Sequence, residues 1–253
     1  MKEQGNSMAQ KTAGCIVIFG GARGIGLATA TRACGLYEKV VIADVDGDMS
    51  KLDIVRTGRA ESSLCDALDP AAVTTLLDSA AERHGRLAAV VTVIGGAHIH
   101  DPLILDLAAW RKETAFNLDT AYIVATAAAS LMVKRQAGAI VTTSSSYASV
   151  PKSDRIGYAA SKAGVIALTK SLAMATARFN VRVNCVAPGA TDTERLRAMT
   201  GSEHDLDTIR EAAVQGRIAT PEEVAEAVLF LCADSSYSIT GQVLWVNNGS
   251  YMP

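Results

Sequence analysis

The sequence predicts a single α/β domain with one doubly wound parallel sheet and helices on both faces. Short apolar runs alternate with longer helical stretches along the chain, which is typical of one doubly wound sheet. The runs are continuously apolar, as expected for strands buried on both faces of a parallel sheet. Six of them are predicted to be strands, at residues 15–19, 39–43, 89–94, 139–144, 182–187 and 243–246.

The stretches between these runs predict the helices. Two helix starts are marked, because Pro70 follows Asp69 and Pro221 follows Thr220, a capping residue before proline at the first helical position. The polar stretch at 190–216 reads as an irregular segment and a candidate mobile lid. We expect a flexible tail at residues 1–12 and one domain over residues 13–253. The main helices are predicted at 70–84, 118–135, 157–179 and 221–232.

Composition argues against several classes of protein. The 253 residues carry a formal net charge of −2, so no basic surplus indicates a nucleic-acid partner. The polar first dozen residues lack a signal peptide's hydrophobic region, and no apolar run suggests a membrane span. We therefore expect a cytoplasmic protein. The odd number of cysteines and the lack of a CxxC pair predict reduced core thiols at Cys15, Cys34, Cys65, Cys185 and Cys232.

A glycine-rich turn joins the first predicted strand to a helix. Residues 20–26 read Gly-Gly-Ala-Arg-Gly-Ile-Gly. Glycines there let the backbone approach a pyrophosphate, and a helix N-terminus supplies free N–H groups and positive partial charge. A plain strand–turn–helix is the alternative. We predict a Rossmann-type dinucleotide site with contacts from Gly20, Arg23, Gly24, Ile25 and Gly26.

Two charged residues bear on which dinucleotide binds. Asp44 closes the second predicted strand, where a carboxylate accepts hydrogen bonds from ribose hydroxyls and repels the extra phosphate of NADP. Arg23 acts in the opposite sense, because a guanidinium would bind that phosphate. We favour Asp44, since its charge acts directly on the group that differs, and predict NAD as the cofactor.

A serine, a tyrosine and a lysine form the candidate reacting group. Tyr158 and Lys162 lie four residues apart in a predicted helix, so their side chains share one face. Free tyrosine titrates near ~10, and a nearby cation lowers its pKa, which suits proton exchange with an alcohol or a carbonyl. Ser145 directly follows a predicted parallel strand, at the end where ligands bind, and its hydroxyl would steady a carbonyl oxygen.

Together the glycine turn, the serine and the Tyr-x-x-x-Lys pair resemble the short-chain dehydrogenase/reductase family over about residues 14–249. The resemblance implies a catalytic set of Asn117, Ser145, Tyr158 and Lys162. Tyr158 would be the acid/base, Lys162 would bind the nicotinamide ribose and lower the pKa of Tyr158, and Asn117 would hold a water for proton relay. It also implies cofactor contacts from Asp66, Ala67, Ile94, Gly95, Pro188, Gly189, Thr191 and Thr193, besides Tyr158 and Lys162.

The chain departs from the family pattern at two structural motifs. Phe19 stands where the family's glycine loop begins with threonine, and Thr92-Val93-Ile94-Gly95 stands where the family has Asn-Asn-Ala-Gly. The structural hydrogen bonds of those residues must be replaced here. Members of the family usually assemble as tetramers through their long helices, so we expect a homotetramer through the helices at 118–135 and 157–179.

Three functions remain as hypotheses. The first is an NAD-dependent enzyme that interconverts a small secondary alcohol and a ketone. The second is an NADPH-dependent 3-oxoacyl-carrier-protein reductase, with Lys134, Arg135 and Arg178 docking the acidic carrier. The third is a non-catalytic nucleotide-binding subunit, suggested by the altered motifs. His98 and His100, after the fourth strand, would contact substrate, bind metal or form a plain loop; without a visible third ligand, we predict no metal.

Overall fold

The computed structural model describes residues 11–104 and 106–253, which form one seven-stranded sheet in which all neighbouring strands are parallel. The strand order is β3-β2-β1-β4-β5-β6-β7, so the chain starts near the middle and winds outwards in both directions. This confirms the predicted fold class. The strands are β1 (Thr12–Phe19), β2 (Tyr37–Asp44), β3 (Glu61–Leu64), β4 (Leu87–Thr92), β5 (Gly138–Thr143), β6 (Val181–Pro188) and β7 (Val243–Val246).

Helices cover both faces of the sheet. One core cluster joins β1 and β2 to helices α1 and α9, and a second joins the opposite face to α3 and α5. The helices are α1 (Gly24–Leu36), α2 (Asp53–Arg56), α3 (Pro70–His84), α4 (Leu107–Thr114), α5 (Thr120–Arg135), α6 (Ile156–Thr176), α7 (Glu194–Met199), α8 (Glu203–Glu211) and α9 (Pro221–Cys232).

The helix starts follow the capping signals in the sequence. Asp69 accepts hydrogen bonds from the N–H groups of Ala71 and Ala72, and Thr220 forms a reciprocal capping box with Glu223. Such caps satisfy N–H groups that have no partner in the first turn, and each stabilises a helix by about 1 kcal/mol. Both helices begin and end where the sequence predicts.

Three elements differ from the predictions. Strand β3 was missed because Glu61–Leu64 is short, polar and half exposed at the sheet edge, where the parallel-core pattern does not apply. The stretch predicted to be irregular contains α7 and α8, which begin at the side-chain caps Thr193 and Ser202. The predicted tail at 1–12 lies outside the described residues except for Lys11 and Thr12, and β1 starts at Thr12.

A long helical run departs from a further expectation. Leu107–Arg135 is continuous through a π turn at Ala115–Asp119, and by length and mean hydropathy it suffices to cross a membrane, contrary to the sequence reading. In this fold α5 packs against α3, α6 and the sheet, and 44% of the apolar window of the run is buried. A core helix passes the same test of length and composition, so this finding is weak evidence for a membrane.

Parallel pairing brings the carboxyl ends of the strands to one edge of the sheet. Phe19 of β1 lies beside Ala43 of β2 and Thr92 of β4, so the loops that follow these three strands are neighbours. Binding sites of doubly wound sheets form at this edge, where the strand order diverges. The glycine turn, Asp44 and the loop after β4 are thereby brought together although they lie far apart in sequence.

Candidate active site

A cleft of about 340 Å³ opens at the carboxyl ends of β1, β2 and β4. It collects most of the residues that the sequence assigns to a cofactor, including the glycine turn and the acidic residue after β2. Its walls also include Phe116, Thr120 and Arg195, which sequence reasoning did not single out. The predicted residues that line it are Gly20, Arg23, Gly24, Ile25, Gly26, Asp44, Asp66, Ala67, Ile94, Gly95 and Thr193.

The glycine turn is packed too closely for side chains. A Cβ atom on Gly26 would lie 2.0 Å from the carbonyl oxygen of Gly20, and Gly20 and Gly24 have φ angles of 79° and 52°. These conformations favour glycine, and the close approach holds the N-terminus of α1 against the end of β1. Because the first N–H groups of a helix have no intrahelical partner, this end of the cleft suits an anion.

Asp44 and Arg23 both line the cleft. The Asp44 carboxylate accepts hydrogen bonds from the N–H groups of Ala22 at 3.0 Å and Asp46 at 3.3 Å, so it is fixed beside the glycine turn. Arg23 immediately precedes α1 in extended conformation. The cleft therefore contains both the carboxylate that would bind ribose hydroxyls and the guanidinium that would bind a phosphate.

Lys162 connects α6 to the ends of two strands. Its Nζ atom donates to the carbonyl oxygens of Thr143 at 2.9 Å and Ile94 at 3.2 Å, and the side chain is almost fully buried. Burial is the largest cause that lowers the pKa of Lys162 to about 8, and the Arg195 cation lowers it further while Cys185 opposes. An ammonium has three N–H donors, so one remains for a ligand in the cleft.

Tyr158 lies on the same face of α6, with the Lys162 ammonium 5.8 Å from the centre of its ring. Burial raises the pKa of Tyr158, whereas the nearby Ser145 hydroxyl and the Arg195 charge lower it. This differs from the expected lowering by Lys162, because desolvation raises the pKa of the phenol more than the nearby cations lower it. The phenol is therefore protonated at neutral pH in the protein as described.

Ser145 and Asn117 complete the group of four. Ser145 is buried at the end of β5, where its hydroxyl accepts a hydrogen bond from the Tyr147 N–H at 3.2 Å. Asn117 lies inside the π turn between α4 and α5 and not near a helix start. Its side chain bonds both backbone groups of Gly96 and the carbonyl oxygen of Glu113, so it fixes the loop after β4. The water relay expected of Asn117 is not needed to explain these contacts.

The remaining candidates lie away from the cleft lining. Pro188 ends β6, Gly189 packs against Asn247, and Thr191 bonds the Gly189 carbonyl oxygen at 3.2 Å. A wider depression of about 510 Å³ lies beside α6 and is lined by Tyr147 and Lys152. It includes no residue of the glycine turn, which lines the smaller cleft instead. The four catalytic candidates line neither cavity, but Lys162 reaches the wall of the smaller cleft through its bond to the Ile94 carbonyl oxygen, so the smaller cleft is the candidate active site.

Arg195 is the charged residue that sequence reasoning missed. It follows Thr193, the cap of α7, and its guanidinium lies against Gly96 and donates to the Ala97 carbonyl oxygen at 3.1 Å. It is close enough to lower the pKa of both Tyr158 and Lys162. No spacing rule connects it to those residues, because the fold of 190–216 brings it over the loop after β4.

The altered family motifs are accommodated in the core. Phe19 is fully buried, and its carbonyl oxygen accepts a hydrogen bond from the Val93 N–H at 2.9 Å. The Gly20 N–H donates to the Ala43 carbonyl oxygen at 2.8 Å. Backbone bonds therefore hold the ends of β1, β2 and β4 together where the usual threonine and asparagine side chains are missing.

Known proteins share this arrangement. A family described as enoyl-(acyl carrier protein) reductase matches residues 20–251. The chain is 36% identical to the cis-4-hydroxycyclohexanecarboxylate dehydrogenase of Sinomonas cyclohexanicum, covering 97% of this chain and 98% of that protein. It is 30% identical to the 3-oxoacyl-(acyl-carrier-protein) reductase FabG of Chlamydia trachomatis serovar D, covering 96% and 98%. The crystal structure of gox2181 superposes with a TM-score of 0.89 at 27% identity, covering 96% and 97%.

The close approach in the glycine turn gives a first prediction. We expect Gly26→Ala to lower the free energy of unfolding by about 2 kcal/mol or more, because the added methyl meets backbone that cannot move aside. Gly35→Ala, in the same helix with open space around it, should raise stability by up to ~1 kcal/mol. Urea denaturation of both variants measures this, and equal stabilities would contradict the close packing of the turn.

Proposed function

The chain belongs to the short-chain dehydrogenase/reductase family, and from this we propose that it is an NAD(H)-dependent oxidoreductase that interconverts a secondary alcohol and a ketone. The single observation that carries the proposal is the joint placement of Ser145, Tyr158 and Lys162 beside the glycine-lined cleft. The similarity to a dehydrogenase of a cyclic secondary alcohol supports the same reaction class.

The cleft fits a nicotinamide dinucleotide. The glycine turn has no room for a Cβ atom at Gly26 and leads into the N-terminus of α1, as diphosphate binding requires. Asp44 would hold the adenosine ribose, and the third N–H of Lys162 would hold the nicotinamide ribose. When bound, the cofactor supplies hydride transfer, as acceptor in oxidation and donor in reduction.

Ser145, Tyr158, Lys162 and Asn117 would each have a separate role in the reaction. Ser145 would hold the substrate oxygen, so that charge on it is stabilised as the carbonyl changes. Tyr158 would take the hydroxyl proton during oxidation and return a proton to the oxygen during reduction. Lys162 places a positive charge beside the phenol and favours its ionised form. Asn117 would act through the loop after β4 by holding Gly96 in place.

The other hypotheses fit less well. FabG relatives agree with a 3-oxoacyl-carrier-protein reductase as the alternative, with Lys134, Arg135 and Arg178 on the surface. The carboxylate of Asp44 beside the glycine turn favours NAD over the NADPH of that alternative. A non-catalytic subunit would not need the Ser145, Tyr158 and Lys162 geometry. The enzyme acts on CH–OH groups, in line with the dehydrogenase relative.

We propose further that the substrate carries a carboxylate. In the described part of the chain, the exposed Arg195 guanidinium donates one hydrogen bond, to a neutral carbonyl, and has no acidic partner. It lies close enough to Tyr158 to act on its pKa, at the mouth of the cleft. A guanidinium binds a carboxylate through two parallel hydrogen bonds. The relative's hydroxycyclohexanecarboxylate is a secondary alcohol of this class.

We also propose a cytoplasmic homotetramer. Exposed apolar side chains on the outer faces of α5 and α6, such as Tyr122 and Met174, support assembly through these helices. Burying such side chains between copies would remove apolar surface from water. All five cysteines are free and buried, as expected for reduced thiols.

The catalytic role of Tyr158 has a direct test. We expect Tyr158→Phe to lower kcat for alcohol oxidation by about 10²–10⁴-fold, because the proton acceptor is lost while the ring remains. NADH binding, followed by fluorescence, should change little. As burial raises the pKa of the phenol, wild-type oxidation should speed up with rising pH and ketone reduction should slow as pH passes that pKa. Turnover by the variant at the wild-type rate would refute the role.

The cofactor choice depends on Asp44. We expect Asp44→Ala to weaken NADH binding by about 10–100-fold, since a charged hydrogen-bond acceptor is worth roughly 1.5–3 kcal/mol, and to improve NADPH binding. Asp44→Asn keeps the shape and removes only the charge. Asp46→Ala is the matched control on the same loop. Fluorescence titration measures both cofactors, and an unchanged preference in Asp44→Ala would show that Arg23 decides.

The proposed contact between Arg195 and a substrate carboxylate should affect KM rather than kcat. We expect Arg195→Met to raise KM for cis-4-hydroxycyclohexanecarboxylate by about 10–100-fold, because a charge-assisted contact is lost, and to leave KM for cyclohexanol unchanged. Arg197→Met is the control, as Arg197 is already paired with Asp192 at 2.7 Å. Equal losses for both alcohols, or weaker NADH binding, would assign Arg195 to the cofactor instead.

A further inference from the structure

The loop after β4 carries two histidines that meet a buried glutamate of α4. One ligand atom from each of His98, His100 and Glu113 can be chosen so that all three lie within 4.8 Å of one another. The Nδ1 atom of His98 is 3.9 Å from Oε1 of Glu113. None of these residues belongs to the catalytic group, and the sequence shows only the two histidines as neighbours.

Glu113 is the unusual member of the three. Its side chain is 2% exposed, and its Oε2 atom has no hydrogen-bond partner among the described residues. The other oxygen accepts the His98 N–H at 3.1 Å, and Gly157 approaches so closely that a Cβ there would lie 2.4 Å from Oε2. A buried carboxylate costs several kcal/mol unless a cation or hydrogen bonds compensate for the lost water. No lysine or arginine within 4.0 Å in the described part of the chain provides that cation.

The loop holds the histidines ready for a common ligand. The His98 backbone is bonded to the Glu113 carboxylate, and the His100 N–H donates to the Asp154 carbonyl oxygen at 3.0 Å. The neighbouring Asp154 side chain is already paired with Arg155, and the rings of His98 and His100 lie 6.1 Å apart. Both imidazoles therefore face the same side of a loop that is anchored at two points.

We propose that His98, His100 and Glu113 form a zinc site between the loop after β4 and α4. Two imidazoles and a carboxylate match the preference of Zn²⁺, and three protein ligands leave a fourth position for water or a substrate oxygen. Tetrahedral zinc with ligands at about 2.0–2.2 Å sets them about 3.4 Å apart, so the three atoms need to close by at most about 1.4 Å. The Nδ1 atom of His98 and Oε1 of Glu113, 3.9 Å apart, need to close by only about 0.5 Å of this.

The position of the site suggests its consequence. Glu113 lies one helical turn before Asn117, and the Asn117 side chain donates a hydrogen bond to the Glu113 carbonyl oxygen at 2.9 Å. The Glu113 carboxylate packs beside Gly157, the residue before Tyr158. A bound ion would fasten the loop to α4, next to Asn117 and the start of α6. The inference rests on these contacts alone and does not depend on the proposed alcohol oxidation.

Metal binding by the purified full-length chain tests the proposal. After dialysis against a chelator, titration with ZnCl₂ in competition with a chromogenic chelator should give one tight site per chain. Co²⁺ in place of Zn²⁺ should give the visible absorption of four-coordinate cobalt. His98→Ala, His100→Ala and Glu113→Gln should each weaken binding at least 10-fold, whereas His204→Ala, on the exposed surface of α8, should bind like the wild type.

Two results would overturn the zinc site. The first is that the wild-type chain binds no zinc. The second is that all three variants bind zinc as tightly as the wild type, which would place the metal on another group such as the cysteines. Thermal unfolding of the metal-free variants checks that they fold. If Glu113→Gln does not fold, the two histidine variants decide, because both residues lie on a loop outside the helices and strands.

Discussion

The Lys162 ammonium lies between the carboxyl ends of β4 and β5, where it donates to the carbonyl oxygens of Ile94 and Thr143. Burying such a charge costs several kcal/mol, and each bond from a charged donor returns roughly 1.5–3 kcal/mol. The ammonium is stable there only if both strand ends keep their places. This contact fixes α6 against the sheet, and with α6 the position of Tyr158 one helical turn before Lys162.

Burial and the Arg195 charge together shift the pKa values of Tyr158 and Lys162. Desolvation raises the pKa of Tyr158 and lowers that of Lys162, so burial disfavours the charged form of both groups. The Arg195 charge lowers both pKa values and thereby favours the phenolate while it disfavours a second cation nearby. A ligand that brings negative charge to Arg195 would reduce both effects, so in the proposed reaction the charge of the substrate would influence proton transfer.

The loop after β4 links the catalytic group with the proposed metal site. Asn117 bonds both backbone groups of Gly96, Arg195 covers the same glycine, and His98 bonds Glu113 one turn before Asn117. A Cβ atom on Gly95 would lie 2.6 Å from both the Asn117 side chain and Lys162 Nζ, so glycine is required at this crossing. Three functional elements therefore share one short segment whose conformation has little freedom.

Local periodicity and capping signals in the sequence predict the fold class, most of the strands and the helices with caps. The compact set of motifs also predicts the residues at the reacting centre, which stay a proposal. The sequence missed β3, whose polar edge position lacks the buried pattern, and it read the segment of α7 and α8 as irregular. Only the tertiary structure decided that Arg195 covers Gly96 and that Glu113 meets His98 and His100. Such contacts join residues from different elements, and their distances depend on how loops and helices pack, which spacing along the chain does not encode.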